Sequence, residues 1–468
     1  MEVCLAGSMF AHFSGIKLMK KFLLFIILLA GFVCSIAQAQ TVVADKPKSD
    51  AQADTIAKDE RFSWHLQFTT IGQYHPDFNS PYAGKNSQLS DEPTAVSVTA
   101  TLFAGLRLWK GGSIFFNPEL SGGKGLGMTL GIAGFPNGET YRVGSPEPVI
   151  TVGRIYFRQT FNLSKDYTNV ESDQNTLRGR ISKSRLVLTL GKFSITDMFD
   201  ANSYSHDPRT QFMNWSLMSA GAWDYPANTR GYTYGAVLEL IKPTWGIKLA
   251  STMVPEVANG AYLDMNIGNA HSETLELDKQ INVTQRPGVL RLIGYNTFAY
   301  MGNYEEATNI STYGLDITKT REYGRTKSGF VVNVEQELTD NLGMFGRYSW
   351  NDGKNETWAF TEIDRSLQLG IQSKGNNWKR KDDVCGAAVV INGLSDDHAN
   401  YLAAGGYGFI IGDGKLNYGY ESILELYYGA YLFQNFWLSP DYQFILNPAY
   451  NKDRGPINVF GVRAHVAF

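Results

Sequence analysis

Arg154 and Arg158 stand four residues apart in VITVGRIYFRQTFNL, with Tyr156 between them. Alternate residues of an extended strand share a face, so the three side chains project together and the two guanidiniums lie roughly 13 Å apart. The same parity places Arg107, Glu119, Lys248, Arg347, Glu421, Glu425 and Asp441 on the polar faces of other extended segments. A second group falls in one long unpatterned stretch, 196–229: Asp197, Asp200, His206, Asp207, Arg209, Trp215, Trp223 and Asp224. Guanidinium and carboxylate groups bind hydroxyls through paired hydrogen bonds, and Trp or Tyr rings offer flat apolar faces. Such a set suits weak recognition of a polar solute, with acidic loop groups against a basic wall setting a transverse field.

Bond-making chemistry is poorly provided for. The histidines show no HExxH or Cys/His ligand spacing, so neither a metal nor another cofactor is expected. Ser205 and His206 are adjacent, but neighbours on an extended chain point to opposite sides, a poor start for a nucleophile and its base. GKGLGMTLGIAGFPNGE is glycine-rich, yet it lacks the Lys-Ser/Thr and the βαβ setting of a phosphate cradle. It reads as a flexible loop.

The elements that must carry these residues follow from period two. In TAVSVTATLFAGLRLWKGGSIFFNPELSGG (94–123), Val96, Val98, Ala100, Leu102, Ala104, Leu106 and Leu108 alternate with Ser97, Thr99, Thr101, Phe103, Gly105 and Arg107. After Lys110-Gly111-Gly112 the alternation resumes, which predicts a long β-hairpin. From Trp64 onward the pattern recurs, giving about sixteen strands, the last at 457–468. Tight turns are expected at 110–112, 242–243, 339–341 and 433–435. Longer joints are expected at 76–93, 124–148, 196–229, 255–272, 302–326 and 394–415, with a helical turn at DHANYLAAGG. Segments of ten or more residues exceed the usual sandwich strand and are long enough to cross a bilayer at a tilt. Short and long joints in alternation predict an all-β fold, a transmembrane antiparallel β-barrel with short periplasmic turns and long extracellular loops. One face of each strand then meets lipid and the other lines a lumen. Trp64, Trp109, Tyr232, Tyr234, Trp245, Trp350 and Trp437 suit the aromatic girdles.

Composition agrees. Of 468 residues only 19% are charged, and the pattern does not shift after about residue 60. A formal net charge of −3 without a basic run excludes a nucleic-acid partner. Lys20-Lys21, the apolar FLLFIILLAGFV and Ala37-Gln38-Ala39 predict a signal peptide over 1–39, with 1–18 a possible misassigned start. Its removal would leave Cys385 alone, so no internal disulfide is expected. Residues 40–62 read as a flexible periplasmic tail and 63–468 as the barrel.

Long irregular strings carry a resemblance beyond this pattern: GQYHPDFNSPYAGKNS (72–87), FFNPELSGGKGL (115–126), GFPNGE (134–139), GKFSITDMFDANSYSHDPRTQFMNW (191–215), AWDYPANTRGY (222–232), DHANYLAAGGYGFIIGDGKLNY (397–418) and LSPDYQFILNPAYNKDRGPINVFGVRAHVAF (438–468). Over nearly the whole exported chain the sequence resembles the carbohydrate-selective, glucose-type porins of Gram-negative outer membranes. That resemblance implies one chain forming sixteen antiparallel strands and passive diffusion of sugars. The implied partners are a carbohydrate, outer-membrane lipid and the assembly machinery, which would read the last strand ending at Phe468. The barrel would act as a monomer or a homotrimer. Two alternatives stand beside this reading: a general diffusion porin, and a barrel enzyme such as a lipid hydrolase.

Overall fold

In the computed structural model, which describes residues 59–140, 147–283, 285–309 and 315–468, the alternating segments are strands. They are β1 (Phe62–Tyr74), β2 (Ala95–Trp109), β3 (Gly112–Gly123), β4 (Val149–Asn162), β5 (Tyr167–Val170), β6 (Gly179–Ser182), β7 (Arg185–Phe193), β8 (Thr233–Ile241) and β9 (Trp245–Met253). There follow β10 (His271–Val283), β11 (Arg286–Met301), β12 (Glu322–Glu337), β13 (Leu342–Asn351), β14 (Arg365–Lys374), β15 (Val384–Gly393), β16 (Glu421–Phe433), β17 (Phe436–Leu446) and β18 (Ile457–Ala467). β5 and β6 pair only with each other. The other sixteen form a closed antiparallel barrel in sequence order, sealed where β1 meets β18.

The seal runs from Gln67 opposite Ala467 to Tyr74 opposite Phe460. Leu66 and Phe468 extend it by exchanging backbone hydrogen bonds at 3.1 and 2.9 Å. Closure is what lets a sheet sit in hydrocarbon, where each unpaired backbone group costs several kcal/mol. Period two then sorts the side chains. Along β2, Leu102, Leu106 and Leu108 are exposed on the outside, while Ser97, Thr99 and Thr101 are buried on the inside.

Two residues expected in the outer girdle turn inward. Tyr232, expected in the outer girdle, precedes β8 and turns inward, its hydroxyl donating to Glu119 Oε1 at 2.9 Å. Trp437, also expected there, lies opposite His465 on the inward phase of β17, their rings 5.8 Å apart. Trp64, Trp109, Tyr234, Trp245 and Trp350 are exposed.

Two long joints beyond the six expected close β13 to β14 (352–364) and β17 to β18 (447–456). The strict alternation of short and long is broken on the turn side, where 163–184 holds the β5–β6 hairpin. The helical turn expected in the seventh loop is Asp396–Ala403, capped by Ser395 Oγ accepting from His398 N–H at 3.1 Å. The expected signal peptide, and residues 40–58 of the expected tail, lie outside the described residues. Residues 59–61 join the barrel: Arg107 N–H donates to Arg61 O at 2.8 Å.

The apolar core lies inside the barrel. Phe199, Phe212, Leu217 and Trp223, all from the joint between β7 and β8, are fully buried there with Phe345, Val390 and Ile423 of the wall.

Candidate functional site: the lumen and its constriction

The joint 194–232 folds into the lumen because the wall offers charges that its backbone can satisfy. Asp200 is the main anchor. Arg347 Nε of β13 donates to Asp200 Oδ1 at 3.0 Å, and both side chains are fully buried. Arg347 also donates to Leu217 O (3.0 Å) and Ser205 O (2.6 Å), while Asp200 Oδ2 accepts from Ala220 N–H at 2.8 Å. On the other flank, Glu425 of β16 accepts from the backbone N–H groups of Met213 and Asn214. Arg463 donates to Pro208 O and Gln211 O at 2.7 and 2.6 Å. Lys248 reaches Met198 O at 2.7 Å and pairs with Glu276 at 2.6 Å.

Other loops are stitched to this one. Glu421 accepts from Ala133, Gly134 and Ala449 N–H groups. Trp215 Nε1 donates to Asn137 O at 2.8 Å, and Phe135 packs edge-on to Trp215. The glycine-rich loop expected to be flexible is, over its described residues, packed inside the barrel. Asp224 accepts from Trp358, Ala359 and Phe360 N–H groups at 2.7–3.0 Å and draws 352–364 inward.

Two cavities are bordered mainly by β1–β9 and the loops over them. One cavity of about 560 Å³ has a wall of Trp215, Tyr225 and Phe360. Trp215 and Phe360 stack at 5.5 Å with planes 17° apart, and Tyr225 lies 4.2 Å from Phe360. The charged lining comes as pairs of both signs. Arg154 grips Asp197 with two hydrogen bonds of 2.6 Å, and Asp197 is itself held by Ser194 N–H at 3.1 Å. Arg209 bridges Glu139 (2.7 Å) and Glu119 (2.9 Å) and donates to Gln67 Oε1 at 2.9 Å. Burial pushes the Glu139 carboxyl above its usual value, with the Arg209 charge pulling against it. Burial, and then the Arg347 charge, pushes His206 below its usual value, so its ring is neutral at pH 7. A second cavity, of about 600 Å³, is bordered by Arg107, Arg185, Glu239 and Lys248.

Of the residues singled out from the sequence, the structure brings Arg154, Tyr156, Arg158, Asp197, His206, Arg209 and Trp215 around the first cavity. Arg107 borders the second. Glu119 lies buried behind Arg209 and Tyr232 and holds both. Asp200, Trp223, Asp224, Glu421 and Glu425 are not at the open lining. They are buried, the four carboxylates as anchors and Trp223 beneath the loop beside Phe199 and Tyr225. The wall charges Arg347 and Asp441 are also buried. Parity shows that a side chain faces inward but not that a loop covers it. Sequence reasoning missed Glu139, Tyr225 and Phe360, which stand on joints without periodicity. Ser205 and His206 do not form a nucleophile and base, for Ser205 Oγ donates to Leu217 O at 2.6 Å.

A closed sixteen-stranded barrel with a loop folded into a polar lumen is the architecture of an outer-membrane porin. Residues 89–468 match the family described as carbohydrate-selective porin, OprB family, and the chain belongs to that family. The high-pH structure of Pseudomonas putida OprB shares the fold at a TM-score of 0.66 and 17% identity, covering 87% of this chain and 94% of that one. The porin AaxA of Chlamydia abortus is 23% identical over 296 residues, 62% of this chain and 56% of that protein. The porin AaxA of Chlamydia pneumoniae is 24% identical over 321 residues, 66% and 62% respectively. The chain thus spans little more than half the length of these curated relatives.

Proposed function

We propose that the barrel conducts mono- or small oligosaccharides across the outer membrane by passive diffusion, selecting them in the cavity between β4 and the 194–232 loop. The observation that carries this reading is the pairing, around about 560 Å³, of an aromatic wall with fixed Arg–carboxylate pairs of both signs. A sugar ring presents a C–H face to aromatic rings and vicinal hydroxyls to such pairs. A pore for ions of one sign would instead carry a ring of one sign. Binding must stay weak for flux to continue.

The test is liposome swelling with neutral sugars and size-matched polyols at several concentrations. Saturating preference for one sugar class supports the reading. Rates that follow solute size alone reduce the function to general diffusion.

A further inference from the structure

Between β4 and β7 the chain does not make the tight turn usual for this side of a barrel. β5 and β6 pair from Tyr167 opposite Ser182 to Val170 opposite Gly179, and the residues joining them, 171–178, extend to the lumen. Asp173 and Thr176 exchange backbone hydrogen bonds at 3.1 and 2.9 Å, closing a tight turn with Asn175 at φ +54°. Leu177 is buried in the same apolar cluster as Phe115 and Tyr156 of the wall.

This turn is held at both ends. At its tip Arg158 Nη1 donates to Asn175 O at 3.2 Å. At its base Arg178 N–H donates to Glu60 Oε2 (2.7 Å) and Glu60 N–H returns a bond to Arg178 O (2.9 Å). Arg107 then ties both, donating to Glu60 O at 2.8 Å and Arg178 O at 3.1 Å. Four residues border the first cavity and the second alike: Arg158, Asp197, Asn175 and Thr176. The division between the two cavities therefore falls at the tip of this turn.

We propose that residues 171–178 are a second constriction element, entering from the periplasmic side. On this proposal the narrowest part of the passage lies between Asn175-Thr176 and the Arg158–Asp197 region, and the turn sets the solute size limit. It needs an open pore only and does not depend on sugar selectivity.

Two variants test it in planar bilayers and with a size series of polyethylene glycols, both checked for the heat-dependent gel shift of a folded barrel. In the first, Gln174→Gly, Asn175→Gly and Thr176→Gly are combined, stripping the tip of side chains without shortening it. Conductance is expected to rise at least about twofold and the size limit to increase, because a pore's narrowest section dominates its resistance. In the second, Thr176→Cys is placed in a Cys385→Ala background, Cys385 being the free cysteine of the described residues. A bulky methanethiosulfonate should then cut conductance by about half or more. Unchanged conductance and size limit in a folded triple-glycine variant would overturn the proposal. So would full thiol modification, seen by mass, with no loss of current. If the thiol does not react, the triple-glycine result alone decides. Sugar preference plays no part in either readout, so failure here is distinct from failure of the carbohydrate reading.

Discussion

Arg154 shows how one side chain is prepared for a polar solute. Its bidentate pair with Asp197 fixes the guanidinium plane, and Asp197 is fixed in turn by Ser194, so neither must be ordered on binding. Arg158 is different: its bonds are to Asn175 O and, at 3.4 Å, to the Tyr156 hydroxyl, and its Nε is buried without a hydrogen-bond partner among the described residues. Combining Arg154→Ala with Arg158→Ala should weaken sugar block of conductance by about tenfold or more, since hydrogen bonds to charged groups contribute about 1.5–3 kcal/mol each. The folded barrel should still form. Unchanged sugar block would remove both residues from the site. His75, which borders neither cavity, supplies a pH-dependent contact. Its Nδ1 faces Pro76 O at 2.9 Å and its Nε2 faces Glu92 Oε1 at 3.0 Å. Burial disfavours the charged ring, but the bond and charge of Glu92 and the bond to Pro76 outweigh it, raising the pKa. A value raised in the folded state contributes stability that is complete below the unfolded pKa of about 6.5 and is lost as pH rises through the folded value. Hydrogen-exchange protection across 75–94, corrected for the intrinsic rate at each pH, should therefore fall as pH rises above about 6.5. His75→Gln should flatten that dependence, and an equally steep response in the variant would count against it.

At the scale of elements, the constriction loop is tied to the wall by buried charged anchors. Asp200→Ala would leave Arg347 buried opposite no carboxylate at that position, a loss of about 3–5 kcal/mol. The expected outcome is a lowered heat-shift temperature and faster proteolysis within 194–232, with larger and noisier conductance. A variant as stable and as quiet as the parent would show that the pair does not hold the loop. Strands were legible in the sequence because lipid outside and water inside impose period two on every one of them. Loops were not, because docking against a wall imposes no period. Asp200 and Asp197 are three residues apart and alike in composition, yet one is an anchor and the other faces the cavity. Nothing in DMFDANSYSHDP distinguishes them before Arg347 is brought across the barrel. The 163–184 insertion escaped notice for the same reason: SKDYTNVESDQNTLRGRISKS has no long alternation, and its four-residue strands pair only with each other. Tyr232 lies just before β8, where the loop and not the ladder sets its direction, whereas Trp437 keeps the inward phase of Ser439 and Asp441.

At the scale of the whole molecule the lumen is divided lengthwise. Both cavities lie against β1–β9, while Arg347 of β13, Glu421 and Glu425 of β16 and Gln443 of β17 are buried against the inward loops. Stability and selectivity should then be carried by different sides of one barrel. Gln443 on β17 illustrates the filled side, donating to Pro136 O at 2.8 Å and accepting from Asn214 Nδ2 at 3.0 Å. Gln443→Leu removes both bonds; Pro136 O keeps its bond from Gln73 Nε2 at 2.7 Å, while one N–H of the Asn214 amide loses its partner, which should cost about 1–3 kcal/mol. Because Gln443 itself borders neither cavity, the relative rates of a solute panel should keep their order. Phe360 illustrates the open side. Phe360→Ala removes a ring face from the aromatic wall, and the order of sugars against size-matched polyols should change. Measuring the heat shift and the swelling panel on both variants gives a two-by-two comparison that a uniformly lined tube would not satisfy. A tube of that kind predicts that both substitutions alter permeation to similar extents. If Gln443→Leu reorders the panel as much as Phe360→Ala does, the passage runs through the side assigned here to the loops, and the lengthwise division is wrong.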